Sequence, residues 1–283
     1  MSPRRIAVAY LATPGGDDAV AVGIQLARTL GAQLDLCMVL PRDRPALATT
    51  PEGTVTGNAE RWLASAAATV PSDISAAVHL SFDESATMGL IAQAGALGAE
   101  ALVVGGGGGG LAGPFSLGSE VNNLVHASPI PVVIAPRGAR QQNIARIREI
   151  TCAIGSRPGS GLLLATALRL CHATGTPLRL VSLVAVDDPD NLQRAIHHAE
   201  VILTQAKSAL PDDVPVTSQV ATGSTIEDAA NKLGWQEGDV IMVGSSRLAQ
   251  PRRLFLGSTA AKMLRVLQVP MIVVPKDEGA ERD

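Results

Sequence analysis

The residues whose spacing could do chemistry are glycines. Six stand in an unbroken run, Gly105 to Gly110, and Gly118-Ser119 stands further on. Together they read Gly105-x2-Gly108-x9-Gly118-Ser119. Glycine lacks a Cβ, so its backbone turns freely and comes close to a ligand. Unpaired N–H groups at a helix start donate to anions, and a serine hydroxyl adds a donor there. That is the chemistry of a phosphate site. The run also satisfies a dinucleotide fingerprint, Gly105-x-Gly107-x-x-Gly110, but it lies well beyond the first strand turn where that motif works.

Other chemistry-bearing residues offer less. His197-His198 with Glu200 falls on a predicted helix, where adjacent histidines do not share a face. His79, His126 and His172 are isolated and read as structural. There is no Walker lysine motif, no H-E-x-x-H and no Gly-x-Ser-x-Gly elbow. No catalytic residue and no metal ligand is assigned.

The glycine motif needs a strand before it and a helix after it, and the sequence supplies both. In the first half, apolar runs predict strands at Ile6–Leu11, Leu34–Leu40, Ile74–Leu80, Ala101–Val104 and Val132–Ala135. Helical spacing predicts helices at Asp17–Leu30, Gly57–Val70, Glu84–Leu97 and Gly118–Ala127. The second half repeats the order, with strands near Ile150–Ile154, Leu178–Val184, Val214–Val220, Val240–Val243 and Met271–Val274. Such alternation predicts parallel sheets covered on both faces. Their ligands bind beyond the carboxyl ends of the strands, and the glycine run begins at such an end. Trp62 and Trp235 fall on predicted helices and read as core or interface residues.

The chain is also written twice. Gly105 and Gly244, Gly118 and Gly257, and Pro131 and Pro270 are each 139 residues apart, while Gly31 and Gly175 are 144 apart. The expected division is a domain over 1–136, a linker over 137–148, a second domain over 149–276 and a charged tail over 277–283. A length of 283 residues agrees with two domains. With 46% hydrophobic residues the chain can build cores, and a net charge of −3 with 2% aromatics speaks against nucleic-acid binding. The best apolar stretch, Ala19 to Leu40, is interrupted by Arg28 and Asp35, so no membrane span is expected. Cys37, Cys152 and Cys171 are scattered among apolar neighbours and read as core thiols of a cytoplasmic protein.

On Val103-Val104-Gly105, Gly118-Ser119, the closing Pro131-Val132-Val133 and a first strand followed by a long helix, each half resembles the universal stress protein family. The whole chain resembles its tandem form. The resemblance implies an α/β fold of two tandem, doubly wound parallel-sheet domains, adenine nucleotide alpha hydrolase-like, with five strands each. It implies ATP or another adenine nucleotide as ligand, with Mg2+ as an accessory. Carried over position by position, the binding residues are Leu11, Val39, Val104, Gly105, Gly108, Gly118 and Ser119. In the second half they are Gly244, Arg247, Gly257 and Ser258.

Three features depart from that pattern. The family's aspartate at the end of the first strand is missing: the stretch reads Tyr10-Leu11-Ala12-Thr13, and Asp17 or Asp18 could replace it only if the loop folds back. No Lys or Arg lies between Gly105 and Ser119, and Glu120 follows the serine. In the second half Arg247 replaces the motif's second glycine, with Arg252 and Arg253 in the same loop. The expected function is therefore a stress-response regulatory protein that binds an adenine nucleotide in its first domain, with little or no catalysis. The alternative is a nucleotide-free protein-interaction module on the same fold. A homodimer and an unidentified protein partner are also expected.

Overall fold

A computed structural model describes residues 3–42, 54–106, 119–155, 160–186, 188–245 and 256–275. They gather into two compact units, the first ending at Arg146 and the second beginning at Ile147. The expected architecture is borne out in both units.

In the first unit the order is β1 (Arg5–Ala9), α1 (Pro14–Leu30), β2 (Gln33–Pro41), α2 (Thr54–Ala68), β3 (Ala76–Asp83), α3 (Ala86–Leu97), β4 (Ala101–Gly105), α4 (Ser119–Ala127) and β5 (Val132–Ala135). The sheet order is β3-β2-β1-β4-β5, and the strand pairs are parallel. Gly23 of α1 lies on Val8 and Leu34, whereas Gly89 of α3 lies on Val39. Leu34 and Val39 point to opposite faces of β2, so α1 and α3 cover opposite faces of the sheet. The core is the strands themselves: Ile6, Leu34, Leu36, Leu102 and Ile134 are fully buried. Successive strands lie on either side of β1, which makes the carboxyl ends of β1 and β4 the switch point of the sheet.

The second unit runs β6 (Glu149–Ala153), α5 (Ser160–Thr174), β7 (Leu178–Ala185), α6 (Pro189–Ser208), β8 (Val216–Gly223), α7 (Ile226–Asn231), β9 (Asp239–Gly244), α8 (Ser258–Leu264) and β10 (Met271–Val274). Its order, β10-β9-β6-β7-β8, places the switch point between β6 and β9.

Several boundaries differ from expectation. Helix α1 starts at Pro14, not Asp17, because Thr13 caps it and Pro14 supplies the fixed φ of a first helical residue. Strand β3 starts two residues late and runs to Asp83, because Ser81, Phe82 and Asp83 pair with Val39, Leu40 and Pro41. Trp235 lies past the end of α7: it packs on Val181, Ala221, Ala229 and Leu233, and Arg179 stands 5.1 Å over its ring. Trp62 is 46% exposed on α2, so it is not a core residue. The expected linker 137–148 is not a bare connector: Ala139–Gln141 forms a 3-10 turn held against α1, and β6 already starts at Glu149.

Charge is buried toward the amino ends of both sheets. Asp35 is fully buried and accepts from Arg5 Nε at 2.9 Å and Nη2 at 2.6 Å, and from Gln33 Nε2 at 3.2 Å. His79 Nε2 stands 2.8 Å from the same carboxylate. In the second unit Arg179 reaches Glu149 at 3.1 Å and Thr151 Oγ1 at 3.0 Å, and Arg148 meets the buried Asp239 at 2.5 Å. All three cysteines are buried, and burial pushes the Cys37 and Cys152 thiols up to about 12 and Cys171 to about 11. Among the described residues no helix is long and apolar enough to cross a membrane.

Burial raises the Asp35 pKa, but the hydrogen bonds of Arg5 and His79 outweigh it and leave the carboxyl below its ordinary 3.8. A depressed folded-state pKa contributes stability that is complete above 3.8 and lost as pH falls through the folded value. Asp35→Ala strands Arg5 without its partner and is expected to cost about 3 kcal/mol. Denaturant unfolding at pH 7 and pH 3 checks both statements: the difference between wild type and variant should shrink at the lower pH.

Candidate functional site

The site grows from the loop between β1 and α1. Past Ala9 the chain makes one more sheet contact, Tyr10 N–H donating to Cys37 O at 2.8 Å, and then turns, with Thr13 N–H donating to Leu11 O at 2.7 Å. Thr13 caps α1: its hydroxyl accepts from Gly16 N–H at 3.2 Å, and its carbonyl from Asp17 N–H at 3.0 Å. Tyr10 is buried, and that burial, with the charge of Asp17 second, raises its phenol above the ordinary 10.0. Leu11 is half exposed.

Two glycines in the first turn of α1 allow close approach. A Cβ on Gly16 would lie 1.8 Å from Leu11 O, so no larger residue closes this turn. A Cβ on Gly105 would lie 1.8 Å from Gly15 O, and one on Gly15 would lie 2.5 Å from Gly106 O. The first turn of α1 and the start of the glycine loop thus touch backbone to backbone, at the switch point. Gly105 belongs to the spaced glycine motif, whereas Gly15 and Gly16 stand outside it. Their signal was present in Thr13-Pro14-Gly15-Gly16, a cap and first-turn proline followed by glycines.

The other expected residues are placed differently. Val104 is fully buried in β4, and Val39 is buried under α3, its methyl carbons 2.7 and 3.2 Å from where Gly89 would carry a Cβ. Ser119 is the first residue of α4. Gly108, Gly118 and Arg247 lie outside the described residues, as do Arg252 and Arg253. Asp18 does not replace the missing aspartate. It is buried at the side of α1, where its carboxylate accepts from Gly138 N–H, Arg140 N–H and the Arg140 guanidinium. Asp17 is exposed.

The second unit has a different arrangement. A Cβ on Gly244 would meet only the Leu163 side chain, at 3.8 and 3.9 Å, among the described residues. That is ordinary contact. Gly257 is the N-cap of α8 with extended backbone, and Ser258, its first residue, is exposed.

The histidines stand away from these ends. His79 lies on Asp35, His126 Nε2 is 3.1 Å from Asn122 on α4, and His172 is 3.6 Å from Asp213. His197 and His198 are exposed on α6. Among the described residues no three His, Cys, Asp or Glu side chains gather to hold a metal ion.

Known proteins resemble this chain throughout its length. The model of the Universal stress protein family matches residues 3–136 and again 146–275. A universal stress protein of Mycobacterium tuberculosis is 27% identical over 95% of this chain and 99% of its own, and one of Mycobacterium bovis matches equally. Among solved structures, a universal stress protein from Archaeoglobus fulgidus superposes with a TM-score of 0.70 at 17% identity, over 97% of this chain and 99% of that one. A Pseudomonas aeruginosa protein described as functionally unknown gives 0.60 at 18%, over 98% and 94%.

The glycine contact can be tested by adding the missing carbon. Gly105→Ala should cost about 1–3 kcal/mol, since backbone must move to admit it. Gly95→Ala, inside α3 with open space around it, should instead stabilise by about 0.5–1 kcal/mol. Thermal unfolding of the two variants checks the opposite signs.

Proposed function

The chain belongs to the universal stress protein family, and on that footing we propose that its first unit binds an adenine nucleotide as a regulatory ligand. The nucleotide, ATP or AMP-like, lies beyond the carboxyl ends of β1 and β4. The observation that carries the reading is the bare backbone there: Gly15, Gly105 and Gly106 meet with no side chain between them. Peptide N–H groups can then approach phosphate oxygens closely, and the spaced Gly108 and Gly118-Ser119 continue the same chemistry along the sequence. With no Lys or Arg between Gly105 and Ser119, the phosphate charge falls to backbone donors, the α4 terminus and an accessory Mg2+.

The half-exposed Leu11 offers the nucleoside an apolar surface, in a stretch from Tyr10 to Thr13 that holds no carboxylate. Affinity then comes from the phosphates more than from polar recognition of the nucleoside. We assign the function to the first unit alone because Arg247 breaks the glycine spacing in the second. A regulatory rather than catalytic role agrees with the histidines. They are engaged at the amino end of the sheet or on helix surfaces.

The test is direct. Small molecules released from the purified protein are identified, and ATP, AMP and cyclic AMP are titrated by calorimetry. One binding event per chain is expected, and Gly118→Val should abolish it. No co-purified nucleotide and no heat from all three ligands would leave the interaction-module reading in its place.

A further inference from the structure

Something must hold the first turn of α1 against the glycine loop, because a contact of bare backbone has no side-chain packing of its own. The turn after β5 does this. Asp18 is 1% exposed, and both of its oxygens are used. Its Oδ2 accepts from Gly138 N–H at 3.0 Å, and its Oδ1 from Arg140 N–H at 2.9 Å. The Arg140 Nη1 group donates to both oxygens, at 2.9 and 3.0 Å, and also to Pro14 O at 3.1 Å. Pro14 directly precedes Gly15. One guanidinium therefore ties the start of α1 to the chain beyond β5, one residue from the glycine contact. Further along the same face, Gln25 Nε2 reaches Arg146 O at 3.5 Å.

The second unit lacks the corresponding carboxylate. Aligning Gly31 with Gly175, the residues that follow α1 and α5, puts Leu162 at the place of Asp18. The carboxylate of the clasp occurs in the unit with the intact glycine spacing, and a leucine stands in its place where the spacing is broken.

We propose that Arg140, acting through Asp18 and the Pro14 carbonyl, is a positioning residue of the first unit's nucleotide site. It does not touch the ligand. It holds Gly15 on Gly105 and Gly106, so that the amides of these glycines are already placed when the phosphates arrive. This role rests on the nucleotide reading above. Pre-placed donors bind more tightly because less order is lost on binding.

The experiment separates placement from mere stability. Arg140→Met is expected to weaken ATP binding by about tenfold or more, measured by calorimetry well below the Tm. Arg140→Lys keeps the charge without the planar fork and should recover part of the loss. Asp35→Asn weakens the buried cluster at the far end of the sheet and should lower Tm while leaving affinity unchanged. Wild-type affinity in Arg140→Met, or an equal loss in Asp35→Asn, would overturn the proposal. A ligand-free readout tests the clasp itself: amide exchange at Gly15, Gly16, Gly105 and Gly106 should accelerate in Arg140→Met. Unchanged exchange there also overturns it. Accelerated exchange in a protein whose wild type binds no ATP would instead overturn the nucleotide reading and leave the clasp standing.

Discussion

Gly15 rests on Gly105 with backbone against backbone, and the surroundings of α1 serve to keep it there. The contact needs two residues without Cβ atoms, since a single added carbon would lie 1.8 Å from a carbonyl oxygen. It brings together the ends of β1 and β4, which are 96 positions apart between Ala9 and Gly105. Thr13 caps the helix, and Asp18 and Arg140 tie it sideways. The helix's apolar face, through Ala19, Val20 and Leu26, seats it on the sheet. These attachments act on one short rigid segment, so its position relative to the glycine loop is determined from several directions.

The two units show how one fold can keep its sheet and change its site. Parallel strands buried on both faces demand runs such as Leu102-Val103-Val104 and Ile241-Met242-Val243, and both copies retain them. Both also bury charge toward the amino ends of the strands, but with different partners: Arg5, Asp35 and His79 in one, Glu149, Arg179 and Asp239 in the other. Such clusters need full pairing, and either sign arrangement provides it. The carboxyl ends are less constrained by folding. There the first unit sets glycine against glycine, while the second carries Arg247 in place of the motif's second glycine.

The legible parts of the fold were those with a local cause. Strand runs, helical stripes and the 139-residue repeat come from hydrophobic periodicity, which is written residue by residue. The misread parts had distant causes. Strand β3 extends over the polar Ser81 and Asp83 because β2 offers a ladder there. Trp235 is placed by Arg179 and the β7–β8 surface, not by helical spacing. The 137–148 segment looks like a polar connector in sequence, yet Asp18, 122 residues before Arg140, gives it a partner.

The sequence by itself determined the class of fold, the duplication, the position of the glycine motif and its degradation in the second copy. Each follows from composition and spacing along the chain. Only the tertiary structure decided what faces that motif. It gave the facing role to Gly15, put Val39 and Val104 into the core, and assigned Asp18 to a clasp. The physical reason is that close backbone approach and buried charge pairing are relations between distant segments. Residue types can permit them, but only the packed sheet brings the segments together.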